Sequence, residues 1–249
     1  MQRIFFALAI AIAAVPGARA APPLITEDTG TQGKGGAQFE LVVEQGREQR
    51  SGARFDSTET SVALTYGLRD NIDLQFVMPY LRIAEETAAG RRVATGMLDS
   101  RLNLKWRFFE RDALSFAVIP SLIMPTGAEG LSAEGPALGA LLVASWEPGA
   151  FELHADAGYR NFRNVPGLRE DVFHLSASVS YTLHQTLKLV ADRSGETNPN
   201  PASSTSVRYT TIGAIWFFAR NAGLGCGVRI GHGDPAVDRT VLCGFGVRR

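Results

Sequence analysis

Apolar and polar residues alternate with a period of two through most of the chain after residue 36. The stretch LDSRLNLKWRFFE (98–110) is representative. Leu98, Leu102, Leu104, Trp106 and Phe108 share one parity, diluted only by Ser100, while Asp99, Arg101, Asn103, Lys105 and Arg107 fill the other. Successive side chains of a strand point to opposite faces, so such a segment has an oily face and a charged one. The same alternation predicts twelve strands, over 37–45, 58–68, 72–83, 97–109, 113–124, 137–146, 151–160, 172–183, 187–192, 207–218, 223–230 and 239–247. Helical periodicity is scarce by comparison.

The connections sharpen the pattern. Tight turns built on LRDNI, FERDA, EPGA, LHQT and ARNAG alternate with longer polar links over 46–57, 84–96, 125–136, 161–171, 193–206 and 231–238. Asp, Asn, Gly and Pro are the residues such turns require. Short periplasmic turns at one end and long extracellular loops at the other organise an outer-membrane barrel; a Greek-key sandwich has no reason to keep that order. A one-layer meander also lacks a second sheet or helices to cover its oily face, so closing it with that face outward requires lipid as solvent. The expected fold is therefore all-β: a transmembrane up-and-down antiparallel β-barrel of about 12 strands, both termini at the short-turn end. Aromatic residues near strand ends, such as Tyr80, Trp106, Trp146, Tyr159 and Trp216, fit interfacial girdles.

Composition changes this picture little. Hydrophobic residues make up 45% of the chain and charged residues 20%, values that suit a soluble protein and a barrel alike. Twenty-five basic and 25 acidic residues balance, so no bulk charge points to nucleic acid. The N-terminus is more telling: MQRIFFALAIAIAAVPGARA has a basic start, a short apolar run, a Pro-Gly break and an A-x-A site. That is the form of a secretory signal. The expected organisation is a signal peptide over 1–20, a periplasmic N-terminal segment over 21–36 and an outer-membrane barrel over 37–249. The expected destination is the outer membrane of a Gram-negative bacterium.

Several segments carry a family resemblance. PPLITEDTGTQGKG (22–35), LTYGLRDNIDLQFVMPY (64–80), LKWRFFERDALSFAVIPSLIMPTG (104–127) and NPNP (198–201) resemble, in collinear order, bacterial outer-membrane proteins described as "putative MetA-pathway of phenol degradation". The resemblance implies a transporter-like barrel passing small hydrophobic or aromatic compounds. One departure is the C-terminus, GFGVRR, where many outer-membrane barrels end in an aromatic residue.

No catalytic signature stands out: G-x-S-x-G, H-E-x-x-H, C-x-x-C and the P-loop are all missing from the sequence. The glycine-rich GTQGKGG (30–36) precedes a strand, not a helix, and reads as a flexible lead-in or a short piece lying in the barrel mouth. Function is expected in the lumen, with no cofactor and no metal. Inward parity is assigned to Asp99, Arg101, Lys105 and Arg107 on one strand and to Glu152, His154, Asp156 and Arg160 on another. His174, Lys188, Arg208 and Arg229 complete the candidates for a charged wall that sets selectivity. His154 and His174, on neighbouring strands, are placed to approach each other and Asp156, as a hydrogen-bonding pair before any acid–base site. Cys226 and Cys243 either face each other across the last hairpin as a disulfide or serve as two small apolar residues toward lipid.

The resulting expectation is a passive channel for small solutes, and not an enzyme. The alternatives are a closed barrel acting through its extracellular loops and, further off, a lipid hydrolase. Expected partners are outer-membrane lipid and lipopolysaccharide, the small-molecule solute and the barrel-assembly machinery.

Overall fold

The computed structural model describes residues 22–249 apart from 51, 134, 164, 166, 199 and 234–236. The export segment at 1–20 and the last hairpin's centre near Asp234 lie outside the described residues. The strands are β1 (Ala37–Arg50), β2 (Ala53–Arg69), β3 (Ile72–Thr87), β4 (Gly90–Met97), β5 (Ser100–Arg111), β6 (Leu114–Met124) and β7 (Ala137–Trp146). They continue with β8 (Phe151–Asn161), β9 (Asp171–His184), β10 (Leu187–Thr197), β11 (Ser206–Ala219), β12 (Ala222–His232) and β13 (Arg239–Arg248). All pair antiparallel with their sequence neighbours, except that β5 pairs with β3 and β6, and β4 with β3 alone. β1 pairs with both β2 and β13, which closes the sheet into a barrel. Closure leaves the spanning backbone without a bare edge, the condition that a lipid environment imposes.

The tight turns all fall at one end. Asp112 in the FERDA turn takes a positive φ of 53°, and Gly149 in EPGA one of 69°. Both ends of the barrel meet there too: the Ala37 N–H donates to the Arg249 carbonyl at 3.1 Å, and the Arg249 N–H to the Ala37 carbonyl at 2.8 Å.

Two of the expected long links are strands. The link at 46–57 is a hairpin in which β1 and β2 stay paired up to Arg50 and Ala53. The link at 84–96 is a second hairpin, β3 running on to Thr87 and returning as β4. These stretches rise past the membrane, where both faces meet water and alternation in hydrophobicity is lost although backbone pairing continues. The expected strand over 97–109 is consequently divided. β4 pairs with Tyr80–Thr87 of β3 and β5 with Ile72–Val77, so together they fill one place in the barrel, interrupted at Leu98 and Asp99. The result is a 12-stranded barrel with one extra strand.

The faces follow parity. Leu138, Phe173, Leu175 and Ile212 stand outward, each about 60% exposed, while inward Asp73, Asp156, Lys188 and Asp192 are buried. A bulge after Arg107 turns both Phe108 and Phe109 outward, beside Trp106 and Phe116. With Trp146, Phe151, Tyr181, Trp216, Phe218 and Phe245 they ring the short-turn end, where amphipathic aromatics anchor a barrel at the membrane–water interface.

Candidate functional site: a strapped lumen

Residues 22–36, PPLITEDTGTQGKGG, lie inside the barrel as a strap along its inner wall, not below it as a periplasmic segment. The composition suits the role. Pro22 and Pro23 bring no N–H to be satisfied, and the Thr, Asp and Gly residues that follow bond readily in irregular backbone. The strap starts against a wall without side chains. A β-carbon on Gly225 would fall 1.6 Å from the Pro22 carbonyl oxygen, one on Gly244 would fall 2.2 Å from the Pro22 ring, and Gly213 and Gly227 admit Pro23 in the same way. It then passes β10, β8, β7 and β6 in turn before crossing to β3 and β2.

Wall aspartates receive its backbone. Asp192 accepts the Thr26 N–H at 2.8 Å and the Thr26 hydroxyl at 2.5 Å, and Asp156 accepts the Glu27 N–H at 2.9 Å. Asp73 accepts the Gln32 N–H at 2.9 Å, and Asp70 the Lys34 N–H at 3.1 Å. Between them the Thr29 N–H donates to the Ser145 hydroxyl and the Thr29 hydroxyl pairs with that of Ser115. Gly35 and Gly36 exchange hydrogen bonds with Gly67 at 2.8 Å, leading the chain into β1. Buried N–H groups need acceptors, and carboxylates supply charge-assisted ones.

Most lumen charges are paired. Lys105 reaches Glu27 at 3.1 Å and Asp28 at 3.6 Å, so it holds the strap. Burial opposes charge on Asp28, but Lys105, with His154 and Arg248 behind it and the Gly30 N–H, holds its carboxyl below the ordinary carboxylate range. Arg107 pairs with Glu110 at 3.3 Å, Lys188 with Glu152 at 2.6 Å, and Arg229 with Glu44 at 2.7 Å. The two histidines part company. His174 sits between Asp156 at 3.2 Å and Glu196 at 3.7 Å, and Glu196 also takes Arg160. His154 instead turns Nδ1 to Ser145 at 2.8 Å, with Nε2 3.9 Å from Glu152. Ser145, His154 and Glu152 are the residue types of a hydrolytic triad, yet Ser145 is 1% exposed and already receives the strap's Thr29. Ser145 fastens the strap, and His154 and Glu152 stand behind it.

Two candidates leave the set. Arg208 faces outward, because Val207, Thr211 and Ile215 hold the inward parity of β11 and Ile212 and Trp216 the outward one. Its charge suggested the lumen, but near the outer rim an outward arginine reaches water. Asp99 sits at the break between β4 and β5 and folds a loop instead of lining a passage. It accepts from Gly127 N–H at 2.9 Å, the Ser132 hydroxyl at 2.6 Å and Ala133 N–H at 2.7 Å. Cys226 and Cys243 are directly opposite, 4.1 Å apart at Cα, and form a disulfide on the lipid-facing side.

Three acids were missed at the sequence level. Glu40 and Glu44 alternate with Phe39, Leu41 and Val43, and Glu59 lies opposite Glu44. Their parity was legible, but nothing in it separates a solvent-facing acid from a lumenal one until closure is known. They line a cavity of about 280 Å³ above the strap, together with Ile25, Arg101 and Ser61. Glu40, Glu59 and Arg101 carry no ion pair among the described residues. The wall is not charged throughout: Ala117, Ile119, Leu141 and Val143 form an apolar cluster inside the lumen.

Fold and site together define an outer-membrane β-barrel with a constricted lumen. The chain belongs to the family described as "Putative MetA-pathway of phenol degradation", which matches residues 23–248. Among solved structures it is similar to an outer-membrane channel from Pseudomonas putida F1, at 15% identity and a TM-score of 0.70 over 89% of this chain and 98% of that one. It is also similar to the CymD monoaromatic hydrocarbon channel, at 10% identity and a TM-score of 0.51 over 88% of this chain and 89% of that one. A third likeness is to the NanC porin, at 10% identity and a TM-score of 0.53, covering 83% and 98%. At these identities the likeness is one of fold. No curated protein matches the chain in sequence.

Proposed function

We propose that the protein is a narrow outer-membrane channel for small molecules, exported by its N-terminal signal and assembled among outer-membrane lipid and lipopolysaccharide by the barrel-assembly machinery. The observation that carries this reading is a closed barrel that still encloses a cavity of about 280 Å³ after its own strap is seated. A barrel of about eight strands already fills its interior with side chains, so twelve leave room that the strap only partly occupies. Family membership and the fold of the neighbouring channels support the same reading. Apolar side chains of Ile25, Val42 and Ile119 line the cavity beside the acidic ones, which suits solutes with a small apolar body and favours hydrophobic or aromatic compounds over sugars.

Charge in the passage follows from what remains unpaired. Lys105, Arg107, Lys188 and Arg229 are neutralised by neighbours, which leaves Glu40 and Glu59 against Arg101. Selectivity follows the uncompensated charge lining a pore, so weak cation preference is expected. The reading is tested by adding purified protein to planar bilayers. Discrete conductance steps are expected; a folded barrel that stays silent would contradict it and favour a barrel working through its loops.

A further inference from the structure

Outward-facing basic side chains gather along the outer rim of five consecutive barrel strands. β10 presents Arg193, β11 Arg208, β12 His232, β13 Arg239 and β1 Arg47. The strand register sets them in one neighbourhood. Arg193 lies opposite Thr210, Thr210 opposite Ile230, Ile230 opposite Arg239, and Arg239 opposite Arg47, with Arg208 opposite His232 next to that row. The outward positions of β6, β7 and β8 carry no charge at all, so the band belongs to one side of the barrel.

Among the described residues, the protein neutralises this band only at Arg47. Arg47 is taken by Asp56 at 3.0 Å, and nearby Asp238 is engaged by the Gln49 N–H. The Arg193 guanidinium donates to the Thr210 hydroxyl, which also pairs with His232 at 3.1 Å. Arg193, Arg208 and Arg239 have no ion pair among the described residues. Toward the membrane interior the same outward face continues as Leu189, Ile212 and Val241, each more than 40% exposed. An arginine facing lipid is disfavoured unless it reaches the interface and meets an anion there. A partner that satisfies both parts must place phosphate at the rim and acyl chains below it. The guanidinium fork matches phosphate oxygens in the bidentate way.

We propose that Arg193, Arg208 and Arg239 form a binding site for the phosphate groups of an outer-leaflet glycolipid of the lipopolysaccharide type, with its acyl chains against Leu189, Ile212 and Val241. The inference rests on the outer-membrane placement of the barrel, and not on conduction.

The test uses full-length protein in detergent and native mass spectrometry with bisphosphorylated lipid A, dephosphorylated lipid A and inorganic phosphate as separate probes. Bisphosphorylated lipid A should remain bound. Affinity should fall about tenfold or more in the triple variant Arg193→Gln/Arg208→Gln/Arg239→Gln, and by a similar factor for the dephosphorylated lipid. The single variant Arg208→Gln should show a smaller loss in the same direction. Heat-modifiable gel migration reports that each variant is folded. Unchanged lipid A affinity in a folded variant would overturn the proposal, as would equal binding of the dephosphorylated lipid or full competition by inorganic phosphate. Bilayer conductance separates the two readings: weakened lipid binding with normal conductance leaves the channel standing, and a silent barrel that still binds lipid A sinks only the channel.

Discussion

At the scale of single residues, the lumen is a set of charges sorted into those that hold the strap and those that face the passage. Lys105 belongs to the first group through Glu27 and Asp28, and Arg101 to the second. Parity along LDSRLNLKWRFFE separated its two faces, but could not sort these two arginine-and-lysine neighbours, because the strap that claims Lys105 has no periodicity of its own. Arg208 departs from the expected inward parity, because the outer rim tolerates an outward charge as well as the lumen does. Two outcomes follow at this scale. Arg101→Glu should strengthen cation preference severalfold in reversal potentials measured across a salt gradient, whereas Glu59→Gln should weaken it. Asp28 gives a pH dependence. Its folded pKa is depressed below the ordinary 3.8, so its contribution is fully present above that value and is lost as pH falls through the depressed one. Conductance should therefore rise reversibly in strongly acidic buffer, and Asp28→Asn should show part of that rise already at neutral pH.

Among the elements, the strap and the walls it touches depend on each other. The wall of β11–β13 is rich in glycine on its inner face, a feature that reads in the sequence as weak strand propensity. The structure gives it a purpose: Gly213, Gly225, Gly227 and Gly244 are the space that Pro22 and Pro23 occupy. The disulfide between Cys226 and Cys243 ties β12 to β13 on the opposite face of the same wall. Gly225→Val improves strand propensity but places a side chain where the Pro22 carbonyl lies, so it should unseat the start of the strap. Single-channel conductance should rise severalfold, with the barrel's heat-modifiable migration retained. Unaltered conductance would mean that the strap finds another seat. The hairpins at 46–57 and 84–96 teach the complementary lesson. Both were hidden by their polarity, since only strands that meet lipid or a core must alternate.

For the whole molecule, strand number, turn order and closure were legible because a bilayer imposes them on every segment alike. Twelve crossings, five tight turns and termini at the turn end all leave their mark on the pattern of residues. What the lumen contains was legible only in part: GTQGKGG (30–36) reads as a lead-in or as a short piece in the barrel mouth, and its residues do not choose between the two until the wall that receives the strap is known. The central claim is that this strap, and not a filled barrel, sets the width of a real passage. It is tested most directly by single-channel recording of the protein beside a form lacking residues 22–31, each fused to a working export signal and shown to be folded by gel migration. The account predicts small discrete steps for the full protein and a severalfold larger conductance for the truncated one. Silence from both folded barrels, or equal conductance in the two, would contradict it.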